Sequence, residues 1–480
     1  MVLVAISGPL ASGENEKPKP NILFIFLDDF GWRDTSYMGS DFYETPNIDR
    51  LASEGMVFTN AYSAAANCAP ARASLLSGQY SPRHQIFNVG TNPRGKAAHR
   101  RLEHIPGVDI LDTSIKTWAH QIHSAGYRTA TMGKWHLSHN PLPYGFDVNI
   151  GGTKSGGPPR GYYPPFPNAP GLESIRGEKY VTDILSDKAV EFIRENKGRP
   201  WMLYLTHFAV HTPLDARRDL VAKYTDKTPG ALHDHIPMAT MIEAVDQGVG
   251  KIQKTLEELQ LDKNTVILFF SDNGGYGPAT DMAPLKGYKG TYYEGGIRVP
   301  FFVKWPGVVT PGSRSDEPII GVDLYPTLCE ISGAVLPQDQ MQDGLSLVPI
   351  FSGKIRSFGE RPLFWHFPAY LQSYQATSEQ RDPLFRSRPC SIVRIGNYKL
   401  HHYFEDNGLE LYNLADDIGE TRNLLFEKPE KAAELYAILD DWRQQTSAPI
   451  PTAPNPDFDP YDERNAMIRV LQKGRKFSRE

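Results

Sequence analysis

Apolar runs with no polar face alternate along this chain with stretches whose apolar positions recur every three or four residues. Residues 21–27 (NILFIFL), 201–206 (WMLYLT) and 265–270 (TVILFF) are the clearest of the first kind. They read as strands buried on both faces. Residues 56–63, 127–132 and 299–304 read as further strands. Of the second kind, a helix opens at Thr45-Pro46 and runs to Gly55, with Thr as N-cap and Pro at the first helical position. Residues 70–76 form a short helix stopped by Gly78, and residues 114–125 an amphipathic one stopped by Gly126. Helices at 180–196, 235–260 and 323–331 complete the series. This alternation predicts an α/β fold, a large, mostly parallel mixed sheet sandwiched by helices.

The pattern changes towards the C-terminus. Short runs at 391–395, 398–404 and 409–412 are joined by Gly396-Asn397 and Asp406-Asn407-Gly408, the mark of antiparallel hairpins. Residues 428–445 form an amphipathic helix suited to cover one face. The chain therefore divides into an N-terminal segment (1–19), a large α/β domain (20–355), a smaller C-terminal α+β subdomain (356–446) and a tail (447–480). The tail is Pro-rich, then polar and basic, which predicts an extended strap or disorder. There is no internal repeat.

Composition narrows the function classes. With 51 Lys and Arg against 56 Asp and Glu, the net charge is −5. That balance argues against a nucleic-acid binder. The 41 glycines and 39 prolines among 480 residues imply many loops. Three cysteines exclude a framework of paired disulfides and leave at least one thiol over. No apolar run approaches the ~20 residues of a membrane-spanning helix. Residues 1–13 are apolar and small and are followed by Lys17–Pro20, like the end of a secretory signal without its basic start. Periplasmic or secreted location is the expectation, a plain N-terminus the alternative. No Asn-x-Ser/Thr acceptor occurs in the chain.

The candidate chemistry lies just after the strands, where parallel α/β sheets bind ligands. Asp28-Asp29 follows one strand, Lys134-Trp135-His136 another, His207 and His211 a third, and Asp272-Asn273-Gly274-Gly275 a fourth. Alone, each reads as a cap or a turn. Together they offer three carboxylates and an amide oxygen, hard donors that suit Ca²⁺ or Mg²⁺ and suit zinc poorly. Arg72, Lys134 and Lys289 add positive charge, and a cation beside such groups holds a tetrahedral oxyanion. Cys68 stands at the N-terminus of the helix opened by Pro70, where backbone amides lower a thiol pKa. Cys329, on an apolar helix stripe, and Cys390, before a strand, read as core residues.

Cys68, Pro70, Arg72, Leu76 and Gly78 fill a C-x-P-x-R motif followed by leucine and glycine. After it come Gly133-Lys134-Trp135-His136-Leu137, His211-Thr212-Pro213, Ser271-Asp272-Asn273-Gly274-Gly275, and Lys286-Gly287-x-Lys289 leading to Glu294-Gly295-Gly296-Ile297-Arg298-Val299-Pro300. With these motifs in this order, residues 20 to about 425 resemble the formylglycine-dependent (type I) sulfatases of the alkaline phosphatase superfamily. Ser77 and Gln79 stand where family members often carry Thr and Arg.

The resemblance implies an alkaline phosphatase-like fold and a sulfuric ester hydrolase. It implies a Ca²⁺ site, with Mg²⁺ the alternative, made by Asp28, Asp29, Cys68, Asp272 and Asn273, with the substrate sulfate completing the shell. It implies that a maturation enzyme oxidises Cys68 to formylglycine. One hydroxyl of the hydrated aldehyde attacks sulfur, giving a sulfo-enzyme, and the other lets the aldehyde re-form and expel sulfate. Arg72 would stabilise the hydrate, Lys134 and Lys289 clamp sulfate oxygens, His136 act as base and His211 serve the leaving oxygen. Ser155 aligns with a family serine that touches the site.

For the substrate, the family pattern implies a sulfated carbohydrate of bacterial polysaccharide degradation, such as a carrageenan or a glycosaminoglycan. Arg94, in the basic loop 92–101, and His366, in the aromatic run 364–368, are expected to contact sugar. The alternatives are a solvated charged face for the loop and core packing for the aromatic run. Two rival functions remain: a phosphonate monoester or phosphodiester hydrolase using the same site, and a catalytically silent, calcium-dependent binder of sulfated glycans. Oligomeric state is not legible.

Overall fold

The computed structural model describes residues 18–374 and 381–477. The segment 1–17, the bulk of the expected signal remnant, lies outside the described residues. Among those described, eight strands form one sheet in the order Val148–Ile150, Arg128–Gly133, Trp201–Thr206, Asn21–Leu27, Thr265–Ser271, Phe301–Lys304, Met56–Phe58, Ser313–Ser315. Phe301–Lys304 runs antiparallel to both its neighbours, while the other pairs are parallel.

The apolar run at 21–27 is central because it has two apolar faces. Leu23, Ile25 and Leu27 pack with the helices Val181–Glu195 and Ile236–Glu258. Ile22, Phe24 and Phe26 pack on the opposite face with Cys68–Ser77, Trp118–Ser124 and Leu324–Ser332. Each such side chain contributes roughly 1.5–3 kcal/mol on burial, so a strand without a polar face is held from both sides.

The C-terminal part is a four-stranded antiparallel sheet in the order Leu363–Phe367, Cys390–Ile395, Tyr398–Tyr403, Gly408–Asn413. The helix Pro429–Gln445 covers it, with the Trp442 ring stacked on Phe364 at 4.6 Å. A buried ion cluster ties this sheet to the larger one. Lys399 Nζ lies 3.0 Å from Glu294 and 3.0 Å from Glu420. The Glu294 backbone N–H donates to Glu420.

Three expectations need correction. The run at 56–63 is not one strand: Met56–Phe58 joins the main sheet, and Ala61–Tyr62 pairs with Ile319–Ile320. The break falls at Thr59-Asn60, whose polar groups accept from Arg298. The helix expected from residue 114 begins at Trp118. The tail is not wholly extended, because Pro460–Phe477 is a helix. Asp459 caps it by accepting from the backbone of Tyr461 and Asp462.

Candidate active site

Four parallel strands end at one edge of the main sheet, and the residues just beyond them meet there. After Asn21–Leu27, Asp28 is locked by backbone bonds to Ala209 and Val210. Asp29 takes a left-handed conformation (φ 59°), and its N–H donates to Asp272 Oδ1 at 3.2 Å. Gly133 ends its strand at φ 111°, and a Cβ there would lie 1.9 Å from the Thr206 carbonyl oxygen. Only glycine permits that approach. It delivers Lys134, whose N–H bonds the same carbonyl.

Three buried carboxylates each face one buried cation. Lys134 Nζ is 2.7 Å from Asp28 Oδ2, Lys289 Nζ is 2.7 Å from Asp29, and Arg72 Nε is 2.9 Å from Asp272 Oδ2. Arg72 also donates to the Lys134 carbonyl at 2.9 Å and to Thr206 Oγ1 at 2.7 Å. Burial opposes ionisation of Asp28, but Lys134, His211 and Arg72 together outweigh it and hold the carboxyl below its usual range. Burial and the Asp28 charge push Asp272 well up despite Arg72. Thr206 was missed from sequence, although a polar residue closing an otherwise apolar strand marked it.

Oxygens of Asp28, Asp29 and Asp272 all lie within 4.8 Å of one another, and so do ligand atoms of Asp28, Cys68 and His211. Asp28 Oδ1 and Asn273 Oδ1 are buried and accept no hydrogen bond. The Asn273 amide nitrogen is engaged by Asp29 Oδ1 and the Gly274 carbonyl, which leaves its oxygen free. Orphaned buried oxygens are costly. A hard divalent cation satisfies them and relieves the crowding of the carboxylates, so this donor set fits Ca²⁺ or Mg²⁺.

Cys68 is the first residue of the helix Cys68–Ser77, with Asn67 as N-cap. Burial opposes ionisation of its thiol. Lys134 and Lys289, helped by hydrogen bonds with His136 and His211, overcome this and hold the thiol well below its usual value. Cys329 goes the other way, pushed up to about 12 by burial, and Cys390 is also pushed up. The contrast separates one reactive position from two core residues.

Two histidines flank Cys68. Burial keeps His136 below its ordinary pKa, and its Nδ1 has no partner. His211 Nδ1 donates to the Thr212 carbonyl at 2.7 Å, which turns Nε2 towards Asp29 at 4.0 Å. Burial disfavours its protonation, but the charges of Asp28 and Asp29 together raise its pKa. The 155–157 loop lies against both rings: a Cβ on Gly156 would be 2.6 Å from His136 Nε2, and one on Gly157 would be 3.5 Å from His211 Nδ1. Ser155 therefore stands at the rim, its hydroxyl donating to the Gly157 carbonyl. His207, also beyond a strand, is buried and held down to about 3 by desolvation.

The expected sugar contacts divide. Arg94 donates to the Val89 carbonyl, and the neighbouring Gly95 N–H donates to Gln372. Its loop thus lies beside the two-stranded Leu371–Gln372/Phe385–Ser387 ribbon, which borders Lys289. His366 does not reach the site. It is buried, with Nδ1 on Ser391 Oγ at 2.8 Å and Nε2 on the Pro449 carbonyl at 3.0 Å. One nitrogen is spent within the subdomain sheet and the other on holding the tail to it. Most of the basic loop is also committed elsewhere. Lys96 and His99 pair with Asp462, and Arg101 pairs with Glu463, all from the tail helix.

The chain is similar to known proteins over most of its length. A family model described as Sulfatase matches residues 20–334, and one described as N-sulphoglucosamine sulphohydrolase, C-terminal, matches residues 288–445. The chain is 34% identical to a protein named Sulfatase from Formosa agariphila, with 97% of each chain covered. It is 29% identical to human N-acetylgalactosamine-6-sulfatase, over 91% of this chain and 87% of that one. A crystal structure of Ps i-CgsB in complex with k-i-k-neocarrahexaose is 30% identical, with a TM-score of 0.73, over 88% of this chain and 92% of that one.

Proposed function

Because the chain belongs to the sulfatase family, the type I sulfatases of the alkaline phosphatase superfamily, and is a sulfuric ester hydrolase, we propose that it removes O-sulfate from a carbohydrate. Cys68, as formylglycine, is the nucleophile, and Ca²⁺ is held by Asp28, Asp29, Asp272 and Asn273. The observation that carries this reading is the pair of orphaned oxygens, on Asp28 and Asn273, in a carboxylate cluster that also borders Cys68. The metal, when bound, neutralises sulfate oxygen charge, and the hydrated aldehyde supplies two hydroxyls, one to attack sulfur and one to let sulfate leave.

The chain's own residues do the rest. Lys134 and Lys289 each bring an ammonium group to one carboxylate of the cluster, placed to clamp the sulfate. Arg72 fixes the nucleophile helix against the strand edge through Asp272, Thr206 and the Lys134 carbonyl. His136, kept neutral by burial, takes a proton from the hydrate. His211, whose protonated form is favoured by Asp28, gives one to the leaving alkoxide, a poor leaving group without it. Ser155 and Arg94 contact the sugar.

A carbohydrate substrate is supported by two similar proteins, one named for N-acetylgalactosamine-6-sulfate chemistry and one crystallised with a carrageenan-type hexaose. Residues 20–355 carry the chemistry, and 356–446 complete the cleft. Among the described residues no helix is long and apolar enough to cross a membrane. Action on a polymer that does not enter cells suits a periplasmic or secreted enzyme, matured by a formylglycine-generating partner. The test is to incubate matured protein and Ca²⁺ with sulfated glycans, phosphodiesters and phosphonate esters, and to quantify released anions. Sulfate from a glycan is the expected result. Phosphate or phosphonate release without sulfate would sink the reading.

A further inference from the structure

Beside the proposed catalytic centre stands a buried arginine without a counter-ion. Arg386 lies in the strand Phe385–Ser387 and is 8% exposed. Its Nε donates to the Gln372 carbonyl at 2.9 Å and its Nη1 to the Lys289 carbonyl at 3.1 Å. Its guanidinium carbon sits 3.6 Å from the centre of the Tyr374 ring. Among the described residues no carboxylate lies within salt-bridge distance of it. The other two arginines of this segment differ. Arg388 meets Asp382, Glu405 and Glu463, and Arg381 meets Asp406 and Glu410. Burial without a carboxylate partner pulls Arg386 below its ordinary pKa, the direction opposite to Arg388.

A buried, uncompensated charge costs several kcal/mol, so its place matters. Arg386 bonds the carbonyl of the residue whose ammonium group holds Asp29. Next to it, the Tyr276 ring, three residues after Asn273, meets the Tyr374 ring edge-on at 5.1 Å. Tyr374 is 42% exposed, so part of the ring that covers the guanidinium is open to solvent. A planar guanidinium backed by an aromatic ring is suited to carboxylate and sulfate.

We infer that Arg386 and Tyr374, with Tyr276, form a second anion subsite that reads a sulfate ester or carboxylate on the sugar next to the one being desulfated. The inference rests on the carbohydrate sulfatase reading and deepens it: the substrate carries at least two anionic groups, and Arg386 sets that preference. It leaves Arg94 and the tail-paired basic loop out of this role.

The test uses Cys68→Ala protein, which has no nucleophile, so that binding is measured without reaction, and calorimetry with three oligosaccharides of one backbone. One bears a single sulfate, one a further sulfate on the adjacent sugar, and one a carboxylate there. The parent is expected to bind at least one doubly anionic ligand ten or more times more tightly than the singly sulfated one. Adding Arg386→Gln should reduce that preference to within twofold, and Arg386→Lys should keep part of it. Tyr374→Ala, at an exposed position, should weaken binding of all three about fivefold, and it serves if Arg386→Gln does not fold. No preference in the parent, a preference that survives Arg386→Gln, or full affinity in Tyr374→Ala would overturn the subsite. Sulfate release by matured wild-type protein from the same ligands reports on the parent reading separately. Release without an Arg386-dependent preference discards the subsite alone. Arg386-dependent binding with no release on any ligand keeps the anion site and discards the reading of these glycans as substrates.

Discussion

At the residue scale, the site is an exercise in placing like charges together and pairing each. Three carboxylates crowd within a few ångströms, and each takes one cation. This leaves oxygens of Asp28 and Asn273 for a metal. Chelation of the protein with EGTA should therefore lower both activity and melting temperature, and Ca²⁺ should restore both. At a hundredfold excess over Kd a bound ion stabilises by about 2.7 kcal/mol. A melting curve indifferent to chelator and Ca²⁺ would remove the metal site. Cys68→Ser retains a hydroxyl for attack on sulfur but has no second one to expel sulfate. Release of the desulfated sugar should stop at or below one equivalent per enzyme, with the sulfate retained on the protein, and continuous turnover by that variant would exclude the hydrate mechanism.

At the scale of elements, loops matter as much as strands, because strand ends aim the groups and loops close over them. The 155–157 loop packs on both histidines only because Gly156 has no side chain. Gly156→Ala places a Cβ 2.6 Å from His136 Nε2, so either the ring or the loop must move. The expected result is a loss of kcat of about 10²-fold, the usual consequence of a displaced catalytic group. The melting temperature should change by little, since the loop lies on the surface. Unchanged kcat would mean that the loop gives way and His136 keeps its place. The tail helix shows a different role for an element. Its Asp462 and Glu463 neutralise Lys96, His99, Arg101 and Arg388, so a basic run that reads as a polyanion site is largely an internal contact.

At the scale of the molecule, the two sheets meet through Glu294, Lys399 and Glu420, one lysine between two buried carboxylates. The carboxylates part company. Burial opposes ionisation of both, but Lys399 and the arginines hold Glu294 down to about 2. Glu420 is pushed up to about 7 by burial, because Lys399 is shared and Glu294 repels it. An unfolded Glu420 titrates near 4.5. Between about pH 4.5 and 7 the folded state therefore keeps a proton that the unfolded state has lost. Stability from this group is present below that window and is lost as pH rises through it. Glu294 acts only below pH 4.5, with the opposite sign. The melting temperature should fall from pH 5 to 8 in the wild type and fall less in Glu420→Gln. The slope is the readout, and equal slopes would refute this account of the junction.

Much was legible in the sequence, for a physical reason. A strand buried on both faces must be apolar throughout, so residues 21–27 and 265–270 declared themselves, and with them the positions just beyond, where Asp28, Asp29, Asp272 and Asn273 stand. The cysteine motif and the lysine-bearing segments are local strings, and local strings survive in one dimension. What only the tertiary structure decided were questions of partners distant in the chain. His366 has the composition of a sugar contact and proves to be a buried strut, because its nitrogens find Ser391 and Pro449. The basic loop finds a helix some 360 residues away. Arg386 looks no different in sequence from Arg388, and only folding reveals that one is given carboxylates and the other is left without. Charge pairing depends on three-dimensional distance, which hydrophobic pattern does not encode.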